Sequence, residues 1–423
     1  MLSREDNERL VRVGRGRPAG ELFRRYWLPA LLASEVAEPD GAPVRVRLLG
    51  EDLIAFRDTQ GRVGLVEAFC PHRRAPLFFG RNEECGLRCV YHGWKFDVDG
   101  NCVDMPSEPP GTPMQAEVKL PHYPTVERGG VIWAYLGPPA LQPPAPDYEW
   151  LRVPPTHRHL NKTFEDCNYL QALEGGLDTA HSSFLHNNRL GDNRLLRNRD
   201  GAPRIDVERT DYGYCYVSNR TAGADEHYIR VYHFVMPLQQ MRGAVTSMDG
   251  HRADVPTLDG HVWVPVDDEH CCVYNWCVSY DPAVPLTQEF RDAHDVRFGR
   301  AKSDLIPGTF HLKRNRDNDF LIDRAAQKSR TFTGIEGINT QDFALQTGMG
   351  PIVDRSKEIL GTTDRAIITM RRLLLEGTQA VERGEAPLAL DPATYRGVRP
   401  YDDLVRGDVN WKQAFAEELV AKW

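Results

Sequence analysis

The chain lacks any apolar stretch long enough to cross a membrane. About 20 consecutive apolar residues are needed to span a bilayer, and no run among the 423 residues approaches that length. The opening segment, Met1-Leu2-Ser3-Arg4-Glu5-Asp6, lacks the apolar core of a secretory signal peptide. We therefore expect a cytoplasmic protein with no membrane partner.

An excess of basic charge is also missing. Lys and Arg number 52 against 60 Asp and Glu, so the formal net charge is −8, which argues against broad nucleic-acid binding. Glycines such as Gly14 and Gly16 do not lie in the strand–turn–helix context that binds the phosphates of NAD or a flavin. No nicotinamide or flavin site is predicted in this chain.

What the sequence does contain is two cysteines that each lie beside a histidine. The segments are Cys70-Pro71-His72 and Cys89-Val90-Tyr91-His92, with sixteen residues between them. Two thiolates and two imidazoles suit a Rieske [2Fe–2S] cluster, in which two histidines replace two cysteines on one iron. A Cys₂His₂ zinc site is the alternative, although zinc fingers usually pair cysteine with cysteine and histidine with histidine.

The remaining cysteines are expected to be reduced thiols, several of them buried in strands. They are Cys85, Cys102, Cys167, Cys215, Cys271, Cys272 and Cys277.

Hydrophobic patterning predicts an α+β protein. Residues 1–30 are expected to be helical and residues 44–136 to form strands, with a proline-rich linker after Leu136. The second half mixes both classes, with helix predicted for Asn168–Leu185 and for 340–384, broken near Gly361. Antiparallel strands are predicted for Tyr212–Thr221, Tyr228–Met236, His261–Val266 and Cys271–Tyr280.

A second group of residues that could bind a metal ion follows in the pattern Asp178-x₂-His181-x₄-His186. Asp178 and His181 would share a helix face, but His186 lies about 140° round from His181 at 3.6 residues per turn. Both imidazoles can reach one ion only if the helix ends, kinks or bulges between them. The alternative is a surface helix with two solvated histidines and an acid.

Two histidines and one carboxylate form the facial triad of non-haem Fe(II) oxygenases, which leaves positions open for O₂ and substrate. Asp178 is one candidate for the carboxylate. Asp342, Glu336 and Asp354 are later candidates, and the pattern of residue types alone leaves the choice open.

The sequence resembles the Rieske oxygenases, most closely their phthalate dioxygenase-like branch of single-subunit oxygenase components, which includes aryl O-demethylases. The resemblance is carried by Phe69–Trp94, by Leu22–Trp27, by Glu174-Gly175-Gly176, by Met349–Ile352 and by Thr362–Ile368.

The resemblance implies an organisation of the chain and a set of ligands. Residues 1–40 would be a helical segment packed on the catalytic domain, 41–140 the all-β Rieske domain, and 150–423 a catalytic domain with an antiparallel sheet covered by helices (helix-grip, START-like). Asn339–Gln346 matches the family's late helix, so Asp342 would complete the mononuclear Fe(II) site with His181 and His186.

Family likeness also implies partners. The chain would form a head-to-tail homotrimer, in which Asp178 joins His181 to His92 of the neighbouring subunit. A separate NAD(P)H-dependent reductase, acting directly or through a ferredoxin, would supply electrons to the cluster.

The implied reaction is oxidation of an aromatic carboxylic acid by O₂, as in the catabolism of aromatic compounds. Ring dihydroxylation is the first expectation, O-demethylation of a methoxylated acid the alternative, and a Rieske electron-transfer protein without oxygenase activity a remote one. Because Arg binds a carboxylate through two parallel hydrogen bonds, Arg209 and Arg242 are predicted to bind substrate, with Arg204 and Arg230 as further candidates.

Overall fold

Antiparallel pairing builds every sheet of the protein. Within residues 1–407 and 409–423, which the computed structural model describes, the strands form three small sheets and one of eight strands. The small sheets are β1 (Trp27–Leu32) with β10 (Val131–Tyr135) and β9 (Thr125–Arg128); β2 (Val44–Leu48) with β3 (Glu51–Arg57) and β4 (Val63–Glu67); and β5 (Arg81–Glu83), β6 (Gly86–Arg88), β7 (Lys95–Phe96) and β8 (Cys102–Asp104).

The four-stranded sheet β5–β8 has a hydrophobic core that is separate from the main one. Phe56, Leu87 and Phe96 are fully buried in it, and the cysteines of both Cys-His segments pack there. The two segments lie in the loops that precede β5 and β7, so this sheet holds them at one end.

The eight-stranded sheet dominates the second half of the chain. Its order is β11-β17-β16-β15-β14-β13-β12, and β18 also pairs with β14. These strands are β11 (Arg158–Glu165), β12 (Arg204–Thr210), β13 (Gly213–Gly223), β14 (Glu226–Val235), β15 (Gln239–Thr246), β16 (Arg252–Pro265), β17 (Cys271–Ser279) and β18 (Tyr401–Arg406).

Helices pack against the large sheet. Helix α5 contacts β16 and β17, and it also contacts α9, while α10 packs on β12 and β13. The helices are α1 (Arg4–Val11), α2 (Pro18–Phe23), α3 (Met114–Glu117), α4 (Glu149–Arg152), α5 (Tyr169–Leu177), α6 (Leu196–Arg199), α7 (Gln288–Phe298), α8 (Arg324–Ser329), α9 (Ile338–Gly348), α10 (Arg365–Glu382) and α11 (Trp411–Ala414). The α+β class predicted from the sequence is therefore confirmed. Among the described residues, none of these helices is both long and apolar enough to cross a bilayer.

Several predicted boundaries differ from the structure. Residues 1–30 form two short helices followed by strand β1, because Gly14–Arg17 interrupts the helix and Pro18 starts the next one at its first turn. Strands β12, β15 and β18 were not predicted. Their sequences are rich in Arg, Asp, Glu and Gln, which obscures the apolar alternation that identifies a strand.

The predicted helix Asn168–Leu185 is also shorter than expected, because α5 ends at Leu177. Asp178 adopts an extended conformation, and its Oδ1 accepts the backbone N–H of Ala180 at 2.7 Å. This side-chain turn competes with the helix and ends it. Gly176 lets the helix approach the sheet, since a Cβ there would lie 2.0 Å from the Trp263 ring.

A buried ion-pair network fixes the C-terminal turns of α5. Glu174 accepts from the guanidinium of Arg355 at 2.9 Å and from that of Arg371 at 2.6 Å. Arg355 is completely buried and also donates to the side chain of Asn7 in α1. Three separate parts of the chain are thereby held around the end of α5.

Replacement of Glu174 by Gln should therefore destabilise the protein strongly. Removing one partner of a buried ion pair costs roughly 3–5 kcal/mol. Here the change leaves the buried Arg355 without its carboxylate and Arg371 with only Glu358 as a partner. Denaturant unfolding of the metal-loaded protein measures the loss. The matched control is Glu382→Gln, whose half-exposed carboxylate pairs with Arg9 and should contribute about 1 kcal/mol or less.

The pH dependence of this effect follows from the direction of the pKa shift. Burial alone would raise the pKa of Glu174, but the two guanidiniums lower it below its usual value. The contribution of Glu174 to the free energy of unfolding is therefore complete above the unfolded-state pKa of roughly 4.3. It is lost as the pH falls through the lowered folded-state pKa. Equal stability of wild type and Glu174→Gln at neutral pH would contradict this account.

Candidate metal centres

Two loops with the same backbone hydrogen bonds carry the four predicted cluster ligands. In each loop the fourth residue after the cysteine donates its N–H to the cysteine carbonyl, from Arg74 to Cys70 and from Gly93 to Cys89, both at 2.9 Å. Arg74 and Gly93 both have a positive φ, of 58° and 81°. Gly93 also has no room for a side chain, because a Cβ would lie 2.6 Å from Pro106. The two loops are thus equivalent tight turns that present a cysteine and a histidine each.

The thiols of these loops lie in the core, and the two imidazoles lie beside each other nearer the surface. Cys70 and Cys89 are buried, whereas His72 and His92 are partly exposed, with ring centroids 4.4 Å apart. Trp94 stacks on the His72 ring at 4.4 Å and fixes its plane. The side chain of His72 has a buried Nδ1 that lacks a hydrogen-bond partner among the described residues.

Burial of the first cysteine affects the protonation of its thiol. Burial, together with the nearby Cys89 thiol, raises the pKa of Cys70 to about 11. The Cys70 thiol is therefore neutral at pH 7 in the absence of a metal, and a metal that binds it as thiolate displaces the proton. The donor set and its setting fit a Rieske cluster.

Three donor atoms from distant parts of the chain converge at the second site. His181 Nε2 lies 3.0 Å from His186 Nε2 and 3.5 Å from Asp342 Oδ1, and His186 Nε2 lies 3.2 Å from the same oxygen. Donors that bind one ion at about 2.1 Å and at right angles are roughly 3 Å apart. The triangle therefore matches one face of an octahedron, and its open side meets a cavity lined by all three residues.

The charge of this triad is suited to a divalent cation. Burial would lower the pKa of His181, but the carboxylates of Asp178 and Asp342 raise it to about 10. Two partly buried carboxylates beside two imidazoles leave a surplus of negative charge, which a bound metal ion would neutralise.

Local structure explains how two histidines five residues apart reach one point. Helix α5 ends at Leu177, and a short 3₁₀ turn, His181–Ser183, redirects the chain. The buried guanidinium of Arg220 in β13 donates to the Thr179 carbonyl and, at 2.8 Å, to Ser183 Oγ. This guanidinium, which has no carboxylate within ion-pair distance among the described residues, thus clamps the turn that carries His181.

Asp178 lies directly behind the first histidine. Its Oδ2 is 3.5 Å from His181 Nδ1, and its side chain is about a quarter exposed. The other late carboxylates lie elsewhere: Glu336 pairs with Arg314 on the surface, and Asp354 accepts from Ser356. Of the candidates from the sequence, Asp342 is the one placed against both imidazoles.

The cavity in front of the triad has a volume of about 790 Å³. Its sheet wall is a row of polar side chains that face each other across neighbouring strands. Arg242 and Asp259 face each other in this wall, as do Gln240 and His261. Outside the cavity lining, the same two rows continue through Cys277 and His159 and through Asn275 and Asn161. Within each strand, the two side chains that belong to these rows are two positions apart, so they lie on the same face of the sheet. This alternation is present in the sequence, but apolar neighbours obscure it.

The predicted arginines are divided between this wall and the outer surface. Arg242 and Arg230 line the cavity. Arg209 lies outside it, half exposed, where it pairs with Glu376, and Arg204 pairs with Asp206 on the surface. The structure thus places Arg209 away from the predicted substrate site, because β12 is the edge strand of the sheet.

Arg197 was missed by sequence reasoning, although it lines the cavity. It lies in a basic segment, Arg194–Arg199, of the kind that usually forms a solvated surface. Burial lowers its pKa to about 9, and the nearby Arg230 contributes to the shift. Among the described residues its guanidinium has no carboxylate within ion-pair distance.

Other groups of His, Cys and Asp side chains lie at the far wall, but their acids are already paired. Asp295 Oδ1 accepts from His159 at 2.8 Å and from Asn161 at 2.7 Å. Asp259 lies 3.9 Å from the Arg242 guanidinium. Unlike Asp342, these carboxylates already interact with other side chains, so they are less suited to bind an ion.

Comparison with known proteins gives matches along nearly the whole chain. The model of the Rieske [2Fe-2S] domain matches residues 26–124, and that described as LigXa C-terminal domain like matches residues 134–422. The chain is 40% identical to the phthalate 4,5-dioxygenase oxygenase subunit of Pseudomonas putida, over 97% of this chain and 94% of that protein. It is 38% identical to the 3-chlorobenzoate-3,4-dioxygenase oxygenase subunit of Comamonas testosteroni, over 99% of both.

An O-demethylase is also similar over the full length. The 5,5'-dehydrodivanillate O-demethylase oxygenase subunit of Sphingobium sp. is 34% identical, over 100% of this chain and 91% of that protein. Among solved structures, dicamba monooxygenase bound to dicamba has a TM-score of 0.62 at 20% identity, covering 86% of this chain and 99% of its own. That likeness shows the same fold.

The two centres should be separable by substitution. His92→Ala removes one of four protein ligands to the cluster, so the visible absorption and the reduced-state EPR signal should disappear. His186→Ala, and equally Asp342→Ala, should leave that spectrum intact but remove the iron in excess of the cluster, together with turnover. Iron analysis and EPR of the purified variants measure both effects. An Asp342→Ala variant that keeps its mononuclear iron and its activity would show that the carboxylate ligand lies elsewhere.

Proposed function

The chain belongs to the Rieske non-haem iron oxygenases, and we propose that within this family it oxidises an aromatic carboxylic acid by ring dihydroxylation. It is an oxygenase component of the multicomponent type, which uses O₂ and receives its electrons from a separate reductase. The single observation that carries the substrate proposal is that three arginines, Arg197, Arg230 and Arg242, line the same cavity as the metal triad.

The residues that would hold the two metal groups are those of the two centres described above. Cys70, His72, Cys89 and His92 would bind the [2Fe–2S] cluster, and His181, His186 and Asp342 the mononuclear Fe(II). When bound, the cluster supplies electrons and the iron activates O₂. The protein's own part is to orient these ligands, to bind the substrate and to exclude bulk water.

Cationic side chains in the cavity support an anionic substrate. Burial lowers the pKa of both Arg197 and Arg242. Among the described residues Arg197 has no carboxylate within ion-pair distance, and the carboxylate nearest to Arg242, that of Asp259, lies 3.9 Å away. The Arg242 Nε atom is buried and lacks a hydrogen-bond partner among the described residues. A substrate carboxylate would accept from these donors and offset the cost of their burial.

Aromatic and apolar side chains complete the cavity. Trp263, Phe343, Phe298 and Tyr232 all line it. A planar aromatic ring fits between such walls, where its burial stabilises binding by roughly 25 cal/mol per Å². Phthalate and 3-chlorobenzoate, named for two of the similar proteins, are aromatic acids of this kind.

O-demethylation of a methoxylated aromatic acid is the second candidate reaction. The full-length similarity to the dehydrodivanillate O-demethylase subunit favours it. Both reactions use the same ligands to iron, so the identity of the substrate decides between them.

We further propose a homotrimer in which Asp178 bridges the two centres between subunits. Its partly exposed carboxylate backs His181, and the tip of the Rieske domain carries an exposed Tyr91 next to His92. A carboxylate accepts N–H bonds from two imidazoles at once and orients both. The reductase would use NAD(P)H, directly or through a ferredoxin, which suits a cytoplasmic location.

Replacement of Asp178 by Asn tests the bridge. The amide keeps the size of the side chain but accepts through only one oxygen, so the two imidazoles can no longer be held equivalently. We expect both metals to remain and turnover to collapse. Single-turnover oxidation of the reduced cluster, with O₂ and substrate present, measures the loss. Oxidation of the cluster at the wild-type rate would contradict the bridging role.

The arginines of the cavity predict a carboxylate requirement. Wild type should oxidise benzoates and methoxybenzoates but not the corresponding amides. Arg242→Met and Arg197→Met should each raise KM for the acids about tenfold or more, since a charge-assisted hydrogen bond contributes roughly 1.5–3 kcal/mol. Arg209→Met is the matched control, and it should leave KM unchanged because Arg209 lies outside the cavity.

Product analysis of the same panel separates the two reactions. A dihydrodiol from a benzoate supports dihydroxylation, whereas formaldehyde from a methoxybenzoate supports O-demethylation. Equal turnover of acids and amides would overturn the aromatic-acid proposal.

A further inference from the structure

We infer that Gln341 is a positioning residue that fixes the tautomer and the ring orientation of His186, so that Nε2 of this histidine faces the metal. The inference rests on the proposed iron site and adds to it a residue that binds no metal itself.

The hydrogen bonds of Gln341 determine which way its amide points. The side chain is completely buried in α9, and its Nε2 lies 2.8 Å from the carbonyl oxygen of Ile335 and 2.8 Å from Asn188 Oδ1. A backbone carbonyl can only accept a hydrogen bond. The NH₂ group must therefore face Ile335, and the amide oxygen must face the other way.

That orientation dictates the state of the imidazole. Gln341 Oε1 lies 2.8 Å from His186 Nδ1. Because the amide oxygen has no proton to give, Nδ1 must carry the proton and donate it. A neutral imidazole protonated at Nδ1 has its free lone pair on Nε2, which is the atom in the triad with His181 and Asp342. One backbone carbonyl thus sets the tautomer of a metal ligand through an intervening amide.

The position of Gln341 also couples two segments of the site. It is adjacent in sequence to Asp342, and through Asn188 it holds the chain just after His186. The same turn of α9 therefore supplies the carboxylate and fixes the imidazole that lies 3.2 Å from it.

The two histidines have partners of different kinds. His181 faces the carboxylate of Asp178 across 3.5 Å, and that carboxylate is partly exposed. His186 faces a neutral, fully buried amide at hydrogen-bond distance. Gln341 can therefore hold its imidazole without adding charge to the site.

Substitution of Gln341 by Met provides the test, since Met has a similar length but neither accepts from Nδ1 nor donates to Ile335. The readout is binding of Co(II) to protein depleted of its mononuclear iron but still carrying the cluster. We expect affinity to fall 10–100-fold, the range found when an outer hydrogen-bond partner of a ligand is removed. Thr347→Val is the matched control, because Thr347 is buried in the same helix and its hydroxyl, among the described residues, bonds to the Phe343 carbonyl and to no other group.

A spectroscopic measurement separates positioning from general loss of structure. In ¹⁵N-histidine spectra of the iron-depleted protein, the His186 signals, assigned by their absence in His186→Ala, should show the Nδ1–H tautomer. In Gln341→Met they should move toward a mixture of tautomers, while the cluster spectrum stays unchanged.

Three outcomes are distinguishable. Wild-type Co(II) affinity in Gln341→Met, with loss of binding in His186→Ala, would overturn the role of Gln341 and leave the iron site standing. Wild-type affinity in His186→Ala would overturn the iron site itself. Weakened binding in Gln341→Met with an unchanged His186 tautomer would also refute the inference.

Discussion

Two imidazoles and a carboxylate have to be held about 3 Å apart inside the protein, and much of the surrounding structure serves this requirement. Without an ion, such donors lose their water and gain little in return. The fold therefore holds the segments that carry them by other contacts. Glu174, which precedes the first ligand in the sequence, binds two guanidiniums. Arg220 holds the turn that carries His181, and Gln341 binds His186. Each of these contacts is buried, so each is also costly to break.

The end of helix α5 is the local event on which this convergence depends. On a continuous helix, His181 and His186 would point in directions about 140° apart. Asp178 ends the helix by bonding to the backbone of Ala180, and it also lies behind the His181 ring. One residue thus shapes the backbone and contacts a ligand, which explains why an acid stands at that position.

Local chemistry could be predicted from the sequence better than long-range placement. The cysteine–histidine loops depend on a few neighbouring residues, so their role was evident, and the need for a break between His181 and His186 followed from helix geometry. Asp342 was a different case, because 156 residues separate it from His186 and only family resemblance selected it over Glu336 and Asp354. Arg197 could not be recognised at all, since nothing in its basic segment shows that the fold buries it against the cavity.

The distribution of charge in the cavity explains how one fold can orient many aromatic acids. The metal end contains the carboxylates of Asp178 and Asp342, which repel an anion until a metal ion is bound and leave little attraction afterwards. The same cavity is also lined by Arg197, Arg230 and Arg242, which attract an anion, with Asp259 lying 3.9 Å from Arg242. In the proposed function, a substrate carboxylate would therefore bind at the arginines, and the ring, held between apolar side chains, would turn its far edge toward the metal. Because this orientation depends on charge and not on a close match of shape, the position of other ring substituents relative to the carboxylate would decide which bond is presented for oxidation.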